Sequence, residues 1–438
     1  MKLIINNINK IENAEIKLAG LTVIAGENST GKSTIGKLLF SIVKSVTNAS
    51  SVQETDRENR LQENVNLLYQ RLEGVFVREQ NATLDALFPL PASKFVDNLL
   101  TLSNAAQIDA AIHTRWEILQ ALDIAPSIKS LIANDLENIE INLKRQGIAA
   151  DIASEISYFI ESEFMNNICS YGSKVSSFNL DAEDGNDSHI SARIISNRVE
   201  HVQTNAQVAM LKEATYVESP LYIHLLDSLL SSATFRDIGT SKDRKPMIPI
   251  HIKDLAEKID SLRIYQVKKS IQESLKIDEI VDGHFMFDPT SRRLLFKQKG
   301  EFLSPINVAS GVKSFGIVEM LLETNMLSGD KMLIWDEPEN HLNPKWQIEF
   351  ASVFVQLAKA GVPILVSTHS PYFVQAIRYF SEKYELTKFV NYYLAEIGTN
   401  GLSKVDDVST DLNRIFLKLA LPLQEIMNLP FGGAKRIN

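Results

Sequence analysis

The stretch GENSTGKST, Gly26 to Thr34, follows the apolar run LTVIAG and opens the helix-forming KSTIGKLLFSIVKSV without a gap. It satisfies G-x-x-x-x-G-K-[ST] in the strand-to-helix setting that gives this pattern its meaning. The glycines let the backbone curl, so that N–H groups along Gly26, Glu27, Asn28, Ser29, Thr30 and Gly31 converge on phosphate oxygens. The helix N-terminus, through Lys32, Ser33 and Thr34, adds partial positive charge. Lys32 is expected to reach the β- and γ-phosphates of a nucleotide and Ser33 to ligate Mg²⁺. A capped Gly/Ser/Thr turn is the competing reading, and the flanking strand and helix speak against it.

Working outward, two further apolar runs end in polar residues. KMLIWDEPENHL, 331 to 342, puts Asp336 and Glu337 at the end of a buried-type strand. A carboxylate there can hold Mg²⁺, and its neighbour can orient and deprotonate a water. Capping the following turn is their ordinary alternative role. PILVSTHSP, 363 to 371, brings His369 to an equivalent strand end, facing the same crevice as the phosphate loop if the strands are parallel. A lone histidine is more often structural, and the company of the other motifs argues for a γ-phosphate contact. NVASGVKSFG, 307 to 316, reads by itself as a capped helix start.

The rest of the 438 residues bounds the class. The apolar content of 45% and charged content of 23% are those of a globular protein. A net charge of −9 argues against a uniformly basic, nucleic-acid-coating surface. One cysteine, Cys169, excludes an intrachain disulfide framework and any multi-cysteine metal site. The N-terminus lacks a signal peptide's unbroken apolar region, and no run reaches the ~18 apolar residues of a membrane span. A cytoplasmic protein without membrane contact of its own is the expectation.

Short strands and the phosphate loop occupy 1 to 49. From 50 to 187 the pattern turns helical: Leu61, Val65, Leu68 and Leu72 share one face, as do Ile152, Ile156, Ile160 and Phe164. A compact helical insertion over 50–187 is expected, closed by the polar DAEDGNDSH at 181–189. Strands and helices then alternate over 188–438, with a hairpin turning at Asp288 to Ser291 and a helix from 313 to 326. The fold class is therefore α/β, a P-loop NTPase with a mixed sheet around the phosphate-loop helix and a sizeable helical insertion.

Gly26–Thr34, Ser310–Gly311, Asp336–Glu337 and His369 occur in the order of Walker A, signature, Walker B with its glutamate, and switch histidine. The chain thus resembles the ABC-type ATPase heads over 1–49 and 300–375. The resemblance implies ATP and Mg²⁺ as ligands, and two heads that sandwich two nucleotides. Ser310 and the N–H groups of Gly311 and Val312 would then contact the γ-phosphate held by the partner's Lys32. Glu337 would be the general base, Asp336 would support Mg²⁺, and ENHL, 339–342, would be the D-loop at the dimer seam. ASGVKS departs from the usual LSGGQ at Val312 and Lys313, and no glutamine loop is evident; Gln80 falls in the insertion, and Glu218 at the end of YVES is the weak candidate.

The opening 30 residues and STHSP look like the branch that holds the SMC, RecF-type and OLD-like heads. Within it the chain is similar to AAA-family ATPase subunits of bacterial anti-phage systems of the PARIS, Septu or retron-associated kind. That likeness implies a slow or regulated ATPase switch, paired head to head, that controls a separate nuclease or toxin in response to DNA or a phage-derived trigger. A RecF- or SMC-like DNA-maintenance ATPase, an ATP-bound scaffold with little turnover, and a transporter ATPase are the alternatives.

Other groupings carry less. Asp406, Asp407 and Asp411 read as solvated, helix-capping acids, so an effector is expected on another polypeptide. Lys242, Arg244 and Lys245, Lys268 and Lys269, and Arg292 and Arg293 read as solvated faces, with no interleaved aromatics for stacking on bases. His341 and Asn343 lack the second histidine of a His–Asn nuclease element.

Overall fold

A computed structural model describes residues 1–78, 82–102, 105–122, 124–144, 148–165, 167–182, 188–205, 211–230, 248–264, 275–288 and 290–428. Gln80, Lys242, Arg244, Lys245, Lys268 and Lys269 lie outside them. The chain divides into two compact units, the first comprising Met1–Thr47 and Ile152–Asn438 and the second Asn48–Asp151.

In chain order, β1 (Lys2–Ile8), β2 (Ile11–Lys17) and β3 (Leu21–Gly26) lead into α1 (Lys32–Arg78). Then come α2 (Ala82–Leu87), α3 (Ala92–Leu100), α4 (Ala105–Ala121), α5 (Pro126–Lys144) and α6 (Ile148–Phe164). Strands β4 (Val175–Asp181), β5 (His189–Ile195), β6 (Arg198–Thr204) and β7 (Glu213–Val217) follow, then α7 (Ile250–Asp260) and α8 (Ile277–Val281). The short strands β8 (His284–Phe287), β9 (Leu294–Gln298) and β10 (Glu301–Leu303) precede α9 (Ser310–Glu323). The last part runs β11 (Lys331–Asp336), α10 (Pro344–Lys359), β12 (Ile364–Thr368), α11 (Pro371–Lys383), β13 (Val390–Ile397), β14 (Ser403–Asp407) and α12 (Asn413–Asn428).

The described strands of the first unit build an 11-stranded sheet in the order β6-β5-β4-β1-β2-β14-β13-β3-β12-β11-β7, and a separate sheet β10-β9-β8. From β13 to β7 every pairing is parallel. These strands read as continuous apolar runs because they are covered on both faces; all six residues of β3 and all five of β12 are buried. The β1–β2 and β6–β5–β4–β1 pairings are antiparallel, with alternating burial in β4 and β5. The fold is thus α/β, of P-loop NTPase type, with a mixed sheet around the helix that follows the phosphate loop.

The core of the first unit gathers Val23, Trp335, Phe350, Phe354, Val366 and Phe373 around the parallel strands. The second unit has its own core, in which Leu61, Val65, Leu68 and Leu72 of α1 meet Phe88, Phe95, Leu99, Ile132 and Leu136. The helical insertion expected to end at 187 is shorter: the first unit resumes at Ile152, within α6, and includes β4. Ile156 and Ile160 of α6 are buried there, and β4 pairs with β1, a tertiary pairing that helical periodicity cannot reveal. The helix expected from 313 starts at Ser310, one turn earlier. The hairpin turn at Asp288 forms as read, with Asp288 accepting from the Ser291 N–H at 2.8 Å.

Candidate functional site

The crevice forms where β3, β11 and β12, neighbours in one parallel sheet, end on the same side, so that their C-terminal residues meet. Gly26 closes β3 against β13, where a Cβ would stand 2.6 Å from the Ala395 carbonyl oxygen. The loop then curls through Ser29 at φ 64° and Gly31 at φ 85°, both left-handed. Thr30 donates to the Glu27 carbonyl at 2.9 Å, and the Thr34 N–H donates to the Gly31 carbonyl at 3.1 Å. Glu27, Asn28 and Ser29 are exposed at the tip, while Ser33 is half-buried in the first turn of α1.

Lys32 is 4% exposed, and its Nζ donates to the Gly26 carbonyl at 3.0 Å and the Glu27 carbonyl at 2.8 Å. It also lies 3.8 Å from Glu337 Oε1. Burial lowers its pKa, against the opposing pull of Glu337 and Asp336.

Asp336 ends β11 and accepts a short hydrogen bond from Ser367 of β12 and another from the Tyr216 hydroxyl of β7 at 3.3 Å. The register explains both partners: Asp336 is paired with Ser367, and Tyr216 with Ile334, two residues before Asp336 and on the same face. Burial, then the Asp336 charge, raises the Tyr216 pKa well above its ordinary value, so the phenol stays a donor.

Glu337 follows at φ 48°, a left-handed conformation that costs a non-glycine residue ~1–3 kcal/mol. Its N–H donates to the Ser367 carbonyl at 2.9 Å, and Asn340 donates to its Oε2 at 3.1 Å. His369 Nδ1 stands 3.3 Å from Oε1 of Glu337 and equally far from Oε1 of Glu339. These are charge contacts that meet the angular requirements of a hydrogen bond on neither side. The contact with His369, helped by Asn340 and Lys32, holds the Glu337 carboxyl at about 2 despite burial. Reciprocally, Glu337 raises the His369 pKa.

Glu339, the first residue of the ENHL segment, has a role in its own chain that its place in that segment does not reveal. Its buried Oε1 accepts from Thr368 Oγ1 at 2.6 Å, the His369 N–H at 2.7 Å and the Ser370 N–H at 3.1 Å. One carboxylate thus fixes the turn that carries His369. Burial raises its pKa.

Glu218, just after β7, accepts from Lys37 Nζ of α1 at 3.2 Å and from the Tyr222 hydroxyl at 2.9 Å. It also meets His251 Nε2 at 3.1 Å, while His251 Nδ1 meets Glu163 Oε2 at 2.6 Å. With a carboxylate on each nitrogen, both must donate, which is the imidazolium form. Burial opposes that charge on the fully buried His251, and the two glutamates outweigh it, so its pKa is raised. His251 in turn draws the Glu218 carboxyl down to about 2. A histidine in an apolar helical run and a glutamate 88 residues earlier in the chain carry no joint sequence signal.

Ser310 is the first residue of α9, and Gly311 packs so closely that a Cβ would stand 2.9 Å from both Leu342 Cδ2 and Trp346 Cε3. No hydrogen bond or ion pair among the described residues joins Ser310 or Gly311 to Gly26–Thr34 of the same chain. Val312 and Lys313 face inward, with Lys313 Nζ 3.3 Å from His224 Nδ1. The basic pair Arg292 and Arg293 is exposed at the β8–β9 turn. Asp406 pairs with Arg414 at 2.8 Å, Asp407 caps the Ser409 N–H at 2.9 Å, and Asp411 is exposed.

The donor set suits a nucleotide triphosphate with Mg²⁺. The loop curls through left-handed Ser29 and Gly31 into the start of α1, a setting whose N–H groups suit phosphate oxygens, and Lys32 adds a cation. Ser33 and Asp336 carry hard oxygens of the kind that would serve as the one or two protein ligands of Mg²⁺ if phosphates completed its shell. No helix among the described residues is long and apolar enough to cross a membrane.

Residues 175–375 match the family described as "AAA domain, putative AbiEii toxin, Type IV TA system". No curated protein matches the chain. Among solved structures it is similar to the SMC head domain from Thermotoga maritima, at 10% identity and TM-score 0.39, over 93% of this chain and 98% of that one. An SMC head bound to the C-terminal winged-helix domain of ScpA gives 12% identity and TM-score 0.43, over 93% and 97%. The SMC head with an extended coiled coil, bound to the C-terminal domain of ScpA derived from Pyrococcus furiosus, gives 10% identity and TM-score 0.41, over 97% and 98%. From β4 to the start of α11, a stretch that includes Asp336, Glu337 and His369, the chain is thus similar to an AAA-type ATPase domain.

Proposed function

We propose that the chain is an ATP-hydrolysing switch whose heads pair around ATP and control a separate effector, a nuclease or toxin, in anti-phage defence. The observation that carries the ATPase reading is that Lys32, at the start of α1, and His369, just after β12, both meet Glu337, just after β11, at 3.8 Å and 3.3 Å. The matching family is described as an AAA domain and a putative toxin of a type IV toxin–antitoxin system, which supports the ATPase part of the reading and a toxin–antitoxin setting.

In this reading the phosphate loop binds the triphosphate and Lys32 leaves the Gly26 and Glu27 carbonyls for the γ-phosphate. Ser33 and Asp336 would hold Mg²⁺, which when bound would neutralise charge on the phosphate oxygens. Glu337 orients the attacking water and accepts its proton, while His369, fixed by Glu339, hydrogen-bonds the γ-phosphate. A carboxylate held at about 2 is a weak base, so positioning and charge stabilisation supply most of the rate, as loose phosphoryl-transfer transition states require. Ser310 and Gly311 would complete the site of a second copy; among the described residues no hydrogen bond or ion pair joins them to their own phosphate loop.

The test is ATP turnover by Glu337→Gln. Loss of turnover by about 10²–10⁴-fold with ATP binding retained is expected. Unchanged hydrolysis would remove Glu337 from the mechanism.

A further inference from the structure

In the first unit a cavity of about 370 Å³ lies between α11, the start of α12 and β13. Tyr392 of β13 lines it and is only 5% exposed. Tyr392 pairs with Val23 and Val390 with Leu21, so the cavity lies towards the end of these strands away from the phosphate loop. The Tyr392 backbone is pinned by Ser409, whose Oγ accepts from its N–H at 2.9 Å. The Tyr392 hydroxyl is different: it is buried and has no hydrogen-bond partner. Ser381 beside it donates instead to the Ile377 carbonyl at 2.6 Å. Burial raises the Tyr392 pKa, so the phenol stays a donor, and the charges that act on it, Arg378 and Glu382, line the same cavity. A buried donor that makes no bond bears its full desolvation cost, which a guest able to accept from it would relieve. At the mouth, Arg378 is already engaged, donating to Glu382 one turn on at 3.1 Å. Thr387, Thr410, Asp411 and Asn413, all exposed there, give their side chains to no hydrogen bond or ion pair among the described residues.

We propose that this cavity binds a small neutral polyol of the size of one monosaccharide. Its uncommitted groups are hydroxyls, an amide and a carboxylate, which together offer acceptors for several hydroxyl protons and donors for their oxygens. An anionic ligand is disfavoured, because the cation in the wall is paired with Glu382 while the unpaired Asp411 would repel it. The volume falls near the low end of the ~300–1,000 Å³ range of ligand pockets, which suits one small molecule. The Tyr392 hydroxyl at the buried end and Asp411 at the mouth would fix the two ends of the guest. The site is separate from the phosphate loop, and the inference stands whether or not the chain hydrolyses ATP.

The test titrates the full chain, without nucleotide, with glucose, galactose and their two uronates, followed by isothermal calorimetry. Saturable binding of at least one neutral sugar is expected, with its uronate weaker by about tenfold or more. Tyr392→Phe removes one donor and keeps the ring, and should weaken sugar binding by about tenfold. Its thermal unfolding midpoint should be no lower than that of wild type, because the hydroxyl holds nothing in the protein. Asp411→Asn should weaken binding by a similar factor, and Glu301→Gln, at an exposed acid of β10, should leave it unchanged. Binding of neither sugar would leave the cavity to water and overturn the proposal. So would equal binding of sugars and uronates, or undiminished binding by Tyr392→Phe or by Asp411→Asn. A lowered midpoint in Tyr392→Phe would overturn it too, by giving the hydroxyl a partner within the fold.

Discussion

His369 Nδ1 lies 3.3 Å from Glu337 Oε1, and each side chain moves the other's protonation in the direction that keeps both charged. Glu337 is held at about 2, below its ordinary 4.5, so its share of stability is present above pH ~4.5 and lost as pH falls towards ~2. His369 is raised above its ordinary 6.5, so its share is present below pH ~6.5 and lost as pH rises through the raised value. Urea midpoints of wild type and Glu337→Gln, followed against pH, should therefore differ most between pH ~4.5 and ~6.5. Because both groups are partly exposed, the pair is worth about 1 kcal/mol or less after screening. A difference that does not vary with pH would contradict the coupling.

His251 is caught between Glu163 and Glu218 with both nitrogens engaged. His251→Ala leaves the buried Glu163 without its cation, and removing one partner of a buried pair costs about 3–5 kcal/mol. Glu163→Gln added to His251→Ala removes the stranded charge and should recover part of that loss. Urea unfolding of the two variants checks this, and additive losses would show that the two side chains are not coupled.

Gly311 owes its identity to packing. An alanine there would bring a Cβ within 2.9 Å of Leu342, in the segment expected to form the dimer seam, and of Trp346 in α10. Gly311→Ala should cost about 1–3 kcal/mol by overpacking. Leu342→Ala in the same chain makes room and should return part of it, as read by thermal unfolding. Equal stability of wild type and Gly311→Ala would mean that α9 yields without cost.

The residues legible in the sequence are those whose role is set by their place at the end of a strand. Lys32, Asp336, Glu337 and His369 each follow an apolar run, and a parallel sheet brings such ends together. Glu339, Ser367, Tyr216 and His251 could not be read this way, because their roles depend on the neighbouring strand or helix. Ser367 acts by its register with Asp336, and Glu339 by a turn 29 residues away. For the same reason the α/β class was readable, whereas the β14–β2 contact that joins the two halves of the sheet was not. The end of the insertion cannot be read from periodicity, because α6 carries the same helical pattern as the helices before it while its residues from Ile152 on pack in the other unit.

The central claim is that hydrolysis needs two chains, one giving Lys32 and Glu337 and the other Ser310. Ser310→Arg and Glu337→Gln, each inactive alone, are mixed without nucleotide and then assayed with ATP and Mg²⁺. In a dimer that exchanges freely, half of the pairs are mixed and each carries one intact site, so about a quarter of wild-type turnover should return. Full turnover by Ser310→Arg alone, or none in the mixture, would contradict the account.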